Sequence, residues 1–430
     1  MHILLVGNGG REHALAWKLA RSPRLSRLSV APGNPGTAAE PRTVNVPIAA
    51  DALDELVAFA TDQAVDLVVV GPEGPLVAGL TDRLRAAGVP CVGPGTDGAQ
   101  LEGSKAFAKN FMHRHGIPTA SSESFTDTAE AHAFIDEHGA PIVIKADGLA
   151  AGKGVVVAHD IAQAHRAIED MLSGNRFGEA GHRVVIESFL AGEEASFIAL
   201  VSGGDALPFA TSQDHKARDE GDTGPNTGGM GAYSPAPVVT DAVRAHAIAD
   251  ILEPTVAGLI ADGVDYRGFL YIGLMIDADG QARVVEYNVR LGDPETQPLL
   301  MRLDSDLVDL LEAAAAGSLR GVEADWSANP AIGVVIAAGE YPDGGSRGAA
   351  ISGLDAAADA GCTVFHAGTA MRDDRLVTNG GRVLCVTAIA ADLASAKTRV
   401  DAGAAAVSWD GARYRRDIGH RALDRERGGS

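Results

Sequence analysis

The segment PIVIKADGLAAGKGVVVA, residues 141–158, has an apolar strand that delivers Lys145 and a loop in which Gly148, Gly152 and Gly154 surround Lys153. Two ammonium groups beside glycines, whose peptide N–H groups can approach an anion closely, suit the neutralisation of a polyphosphate under a lid. The Walker A pattern G-x-x-x-x-G-K-[ST] is absent, and a β-hairpin with lysines reaching to solvent is the alternative reading. Lys105 in EGSKAFAKNFM adds another cation. Ser104 reads as an N-cap that sets Lys105 in the first helical turn, where the helix dipole disfavours it unless an anion sits nearby.

In ARVVEYNVRLGDPETQP, residues 282–298, Glu286 and Asn288 are two apart and share one strand face. Both offer oxygen to a hard cation, as for magnesium completed by water and nucleotide phosphates. Arg290 continues that face with a guanidinium able to grip a carboxylate through two bonds. VVIESFLAGEEASF, residues 184–197, reads as a strand and turn. Peptide groups of Ser188 to Leu190 can pair with a purine edge there and Glu194 can accept from ribose hydroxyls, a plain charged turn being the alternative. Near the start, Ile3 to Val6 breaks into Gly7-Asn8-Gly9-Gly10 before a helical pattern, a phosphate-binding turn beside which Arg11 adds donors. Glu12 stands where a dinucleotide fingerprint needs its third glycine, and RLSVAPGNPG ends without an acidic ribose ligand, so a smaller phosphate compound fits better. A structural turn with a surface arginine is the equal alternative from this motif alone.

The elements that must hold these residues fall into three parts. Up to about residue 100, the apolar runs HILLV, RLSV, DLVVV and VPCVG alternate with helix-like segments, predicting a parallel, doubly wound sheet. Its loops GNGGRE, APGNPG and GPEGPLVAG should gather at one edge. From about 101 to 325, the strands PIVIKAD, RVVIESFL, ASFIALV and RVVEYNV mix with helices at 160–173 and 240–262. Residues 213–237, with five glycines and three prolines, read as a long low-regularity binding loop. After Trp326 and Pro330, AIGVVIAAG, GRVLCVTAI and a helix at about 392–406 predict a smaller C-terminal α+β domain, and the last dozen residues read as a frayed tail.

The whole chain has 430 residues, 46% hydrophobic and 22% charged, ordinary for a globular protein of several domains. A formal charge of −21 argues against nucleic-acid or membrane-surface partners. The three cysteines, Cys91, Cys362 and Cys385, are widely spaced, which predicts neither a disulfide framework nor a metal clip and points to a reducing, cytoplasmic setting. No leader pattern or membrane span is expected.

Taken together, GNGGREHALAWK, GPEGPLVAG, LEGSKAFAK, IVIKADGLAAGKGV, SQDHKARDEGDTGPNTGGMGAYSP and EYNVRLGDPETQ resemble the ATP-grasp ligases over nearly the whole chain, and among them the glycinamide ribonucleotide synthetase family. The resemblance implies a Rossmann-like N-terminal domain over 1–101, an ATP-grasp domain over 102–325 with its lid at about 121–188, and a C-terminal domain over 326–430. It implies that ATP, with Mg2+ or Mn2+, activates glycine as an acyl phosphate that 5-phosphoribosylamine attacks, the second step of purine synthesis. By the same resemblance, Asn8, Gly9, Gly10, Arg11, Glu12 and Glu73 receive phosphoribosylamine. Lys105, Lys145, Gly148, Gly152 and Lys153 hold the ATP phosphates, with Glu187, Phe189 and Leu190 at adenine and Glu194 at ribose. Glu286 and Asn288 are the implied metal ligands; Asp214 and Arg290 meet the charged ends of glycine and form the catalytic set with Lys145. A monofunctional enzyme, monomeric or a small homo-oligomer, is expected. Two departures stand out: FLYIGLMID is apolar until Asp277, where many ATP-grasp enzymes carry another carboxylate, and Ser188 replaces an expected second glutamate. Other ATP-grasp enzymes, such as a biotin-dependent carboxylase component, would share the nucleotide and metal residues, but the 213–237 segment argues against them.

Overall fold

The computed structural model describes residues 1–149, 154–173 and 182–428. Gly152 and Lys153 of the expected lid lie outside them. The N-terminal strands β1 (His2–Gly7), β2 (Arg27–Pro32), β3 (Thr43–Asn45), β4 (Leu67–Val70) and β5 (Cys91–Val92) form a parallel sheet in the order β3-β2-β1-β4-β5. Strands buried on both faces need apolar side chains throughout, which is why ILLV and LVVV read as unbroken runs. Strand β3 was not foreseen, because TVN is too short and too exposed to carry a pattern.

The chain runs from β1 outward through β2 and β3, then returns to place β4 on the other side of β1. Ligands collect outside the strand carboxyl ends at such a reversal. The turn after β1 and the helix Glu73–Val77 after β4 meet there, as the sequence predicts. Asn34 at the end of β2 joins them by donating from Nδ2 to the Asn8 carbonyl at 2.9 Å.

Strands β6 (Ser122–Phe125), β7 (Ile142–Ala146), β8 (Val155–Ala158) and β9 (Val184–Ser188) make a separate antiparallel sheet, order β6-β9-β7-β8. Helices Thr128–His138 and Ile161–Ile168 close its own small core around Ile135, Ile144 and Ile186. The large central sheet, order β11-β10-β16-β17, contains β10 (Glu193–Ser202), β11 (Asp205–Pro208), β16 (Arg267–Ile276) and β17 (Ala282–Asn288). The expected helix at 240–262 is a helical run, Asp241–His246, a π-turn Ala247–Leu252 and Glu253–Ala261. Pro254 lies in the first turn of the last piece, where its missing N–H costs little.

Two expectations need correction. Residues 213–237 are not a low-regularity loop: they form β12 (Gln213–Asp214), the hairpin β13 (Ala217–Asp219) with β14 (Thr223–Asn226), and β15 (Gly231–Ser234). Strand β15 pairs with β18 (Ala331–Ala338), so this segment extends a sheet ordered β12-β15-β18-β23-β20. That sheet includes β20 (Thr363–His366) and β23 (Arg382–Ile389), with β24 (Ala412–Arg413) also on β18. Strands β19 (Ser346–Ala350), β21 (Thr369–Arg372) and β22 (Arg375–Gly380) form a small neighbouring sheet. A glycine-rich strand has no side-chain alternation to read, which hid this pairing. The expected C-terminal helix is Leu393–Ala406, capped by Asp392. The end of the chain is not frayed either: His420–Gly428 is a helix, with Arg421 bonded to Asp222 and Arg425 to Glu193.

Candidate active site

A cavity of about 830 Å3 lies where the N-terminal sheet, the small antiparallel sheet, the central sheet and the C-terminal segment meet. It brings together Arg11, Glu73, Lys105, Lys145, Gly148, Glu187, Phe189, Leu190, Glu194, Asp214, Glu286, Asn288 and Arg290 from across the sequence. Asn8, Gly9, Gly10 and Glu12 are not part of this lining.

At one end, strand β7 delivers Lys145 and the adjacent β9 delivers Glu187. Both side chains are buried; Lys145 Nζ lies 2.8 Å from a Glu187 carboxylate oxygen as an ion pair and donates to the Val285 carbonyl at 3.0 Å. Lys109 Nζ reaches the other Glu187 oxygen at 2.9 Å, and burial lowers this lysine to about 8 against the pull of Glu187. The Glu187 carboxylate thus anchors two lysines, leaving the backbone of Ser188 to Leu190 and the exposed ring of Phe189 as the hinge surface. Ser104 caps its helix as expected, accepting from the Phe107 N–H at 3.1 Å, and its hydroxyl donates to Asp147. Lys105 Nζ donates to the Gly148 carbonyl at 2.9 Å. Gly148 has φ +103°, a conformation that favours glycine. Burial lowers the Lys105 pKa although Glu286 pulls it upward.

Glu286 and Asn288 sit on one face of β17, as their spacing predicts. Burial disfavours the Glu286 carboxylate, but Lys216, Lys145 and Lys105 overcome this and bring it to about 2. Lys216 bonds to Glu194 and lies 3.4 Å from Glu286. Burial opposes its charge, yet those two carboxylates hold it well above its usual pKa. The ionised Glu286 and the amide oxygen of Asn288 are hard donors facing a cavity, a donor set that fits a magnesium ion sharing its shell with phosphates.

At the other end, Arg290 Nε donates to Glu73 at 3.2 Å, and its Nη2 to Glu102 at 2.7 Å and to Asn288 Oδ1 at 2.9 Å. Glu73 is held at about 2, burial being outweighed by Arg290 and Arg11. The Arg11 Nε donates to Glu12 at 2.6 Å, and its Nη1 to the Leu291 carbonyl at 3.1 Å. Glu12 also accepts from the Gly9 N–H at 2.6 Å. A Cβ on Gly71 would come within 2.2 Å of this carboxylate, so glycine makes room for the buried Glu12 that replaces a dinucleotide fingerprint's third glycine. Asp293 accepts from Gln297 at 2.7 Å and Arg382 at 2.9 Å, and Arg382 outweighs burial in keeping its carboxyl low. Between the ends lies Asp214, pushed well above the usual carboxylate range by burial and by Glu295, with an Oδ1 that has no partner among the described residues.

Sequence reasoning missed Glu102, Lys109, Lys216, Asp293 and Arg382. Glu102, Lys109, Lys216 and Asp293 lie inside quoted motifs, so those residues were present but not read; the partners of Glu102 and Arg382 are distant in sequence and leave no local pattern.

Three family descriptions match the chain in order: Phosphoribosylglycinamide synthetase, N domain, over residues 1–102; its ATP-grasp (A) domain over 103–296; and its C domain over 331–421. The chain is 60% identical to the phosphoribosylamine–glycine ligase of Allochromatium vinosum, over 99% of this chain and 100% of that one. It is 56% identical to the Vibrio cholerae enzyme of the same name, over 99% of each. The crystal structure of phosphoribosylamine–glycine ligase from Thermotoga maritima superposes with a TM-score of 0.85 at 33% identity, covering 97% of this chain and 100% of the other. A biotin carboxylase domain from Hydrogenobacter thermophilus, bound to MgADP, shares the fold at a TM-score of 0.72 and 16% identity, covering 96% of this chain and 91% of that one. With all three domains matched in sequence and its relatives aligned end to end, the chain belongs to the phosphoribosylglycinamide synthetase family.

Proposed function

We propose that the protein joins glycine to 5-phosphoribosylamine with ATP, giving glycinamide ribonucleotide, ADP and phosphate in purine biosynthesis. The observation that carries this is one cavity with lysines at one end, the Glu286–Asn288 oxygen pair in the middle and an Arg–Glu frame at the other. Lys105 and Lys145 bind and orient the ATP phosphates under the glycine loop that includes Gly148, Gly152 and Lys153, while the β9 hinge, with Glu187, Phe189 and Leu190, receives adenine and Glu194 the ribose. Glu286 and Asn288 hold Mg2+, with Mn2+ as an alternative, which when bound screens the phosphate charge. Asp214 and Arg290 grip the ammonium and carboxylate of glycine.

A glycine carboxylate oxygen bonds to the γ-phosphorus as the bond to ADP breaks. The amine of phosphoribosylamine, positioned by Asn8, Gly9, Gly10, Arg11, Glu12 and Glu73, then bonds to the glycyl carbonyl carbon. Phosphate leaves with the carbon–oxygen pair, and the amine loses its proton. Alignment and charge neutralisation supply most of the acceleration, and lid closure keeps water from the acyl phosphate. Within the described residues no helix is long and apolar enough to cross a membrane. A cytoplasmic monomer or small homo-oligomer, domains divided at about 101 and 325, and a lid over about 121–188 complete the proposal.

ADP release is the test, with ATP and magnesium present and glycine and phosphoribosylamine added singly and then together. Release with the pair, accompanied by glycinamide ribonucleotide, is expected. Release with bicarbonate and a different acceptor instead would overturn the substrate assignment.

A further inference from the structure

Gln213 and Asp214 form strand β12, where successive side chains point to opposite sides. Asp214 and Lys216 line the cavity, while Gln213 and His215 are buried on the other side. The same alternation holds on β10, where Glu194 lines the cavity and its neighbour Glu193 does not. His215 and Glu193 connect directly to the last part of the chain, and Gln213 does so through Glu193. The Gly419 N–H donates to His215 Nε2 at 3.0 Å. In the neutral ring Nδ1 therefore carries the proton and faces Asp222 Oδ1 at 3.4 Å. Asp222 also accepts from Arg415 at 2.9 Å and Arg421 at 2.6 Å. Arg425 donates to Glu193 at 2.6 Å, and Gln213 Nε2 joins Glu193 at 3.3 Å to the Glu194 carbonyl at 2.9 Å.

His215, Asp222 and His420 lie close enough to suggest a metal centre. The bonds exclude that role: His215 has no free lone pair, and a cation beside Asp222 would meet two guanidinium groups.

We propose that residues 415–428 are a positioning element for the nucleotide end of the cavity, fixing Glu194 and its partner Lys216 through Glu193, Gln213 and His215. The proposal rests on the nucleotide reading of that end. It gives a role to Arg425, which lies beyond the residues matched by the family's C domain. Arg415, Arg421, Arg425 and Asp222 do not line the cavity; they act through the side chains they hold.

The test is calorimetric binding of MgADP to the full chain carrying Arg425→Gln, Asp222→Asn or Arg425→Lys, with melting temperature recorded alongside. It needs no ligation, so it reads this proposal even if the glycine or ribosylamine assignment fails. Each of the first two variants should weaken MgADP about tenfold, the scale at which loss of a supporting contact shifts a bound site, and Arg425→Lys should recover most of the loss. In steady-state assays KM for ATP should rise while KM for phosphoribosylamine stays constant. An unchanged dissociation constant in both variants overturns the proposal. So does a fall in binding stoichiometry at constant affinity, which would mark a contribution to folding alone.

Discussion

The two ends of the cavity are built on opposite plans. At the phosphate end, Lys105 has only a backbone carbonyl for a hydrogen-bond partner among the described residues, and Lys145 shares Glu187 with Lys109, so positive charge is concentrated there. At the acceptor end three arginines are already paired: Arg11 with Glu12, Arg290 with Glu73 and Glu102, and Arg382 with Asp293. One end thus keeps cations in reserve for the polyphosphate proposed there, whereas the other is a rigid frame of matched charges. Buried paired charges contribute geometry more than net stability, and removing one partner is costly.

This contrast can be broken in order of size. Glu286→Ala should abolish ADP formation, a loss of at least about a hundredfold, while leaving the melting temperature close to wild type; wild-type turnover would remove Glu286 from the metal site. Arg290→Leu should unfold more readily, by about 3–5 kcal/mol in chemical denaturation, because Glu73 and Glu102 would be left without their counter-charge. A stability equal to wild type would show that the acceptor frame is not held by this arginine. Arg11→Ala should raise KM for phosphoribosylamine about tenfold, or about 1.4 kcal/mol, with KM for ATP unaltered; equal rises in both would erase the distinction between the ends.

The smallest effect is a pH dependence. Glu73 titrates at about 2 in the fold against a usual 4.5. A lowered carboxyl pKa contributes stability that is fully present above about 4.5 and is lost as pH falls towards 2. Melting curves between pH 5 and 3 should therefore fall less steeply for Glu73→Gln than for wild type, and parallel curves would refute the pairing.

Much of this was legible in the sequence, for a physical reason. Buried parallel strands announce themselves as apolar runs, and Glu286 and Asn288 share a face because strand geometry has a period of two. The Ser104 helix cap is equally local. What stayed hidden depends on partners far along the chain. Glu102 reaches Arg290 across 188 positions and Arg382 reaches Asp293 across 89, so neither pair leaves a mark on its neighbours. The short strands between Gln213 and Ser234 were missed because their glycines and prolines spell a loop until β18 arrives to pair with them.

That pairing also sets a timetable for synthesis. The N-terminal sheet is complete once residue 92 has emerged from the ribosome, but β15 must wait for β18, and β18 for β23. At about 5–20 residues per second, roughly ten to forty seconds separate the appearance of Lys216 from that of the final helix. A nascent chain therefore carries finished outer parts around an unfinished centre. Premature termination between Ser234 and Ala331 yields a product in which β15 pairs with β12 but lacks β18, an edge open to pairing with another chain.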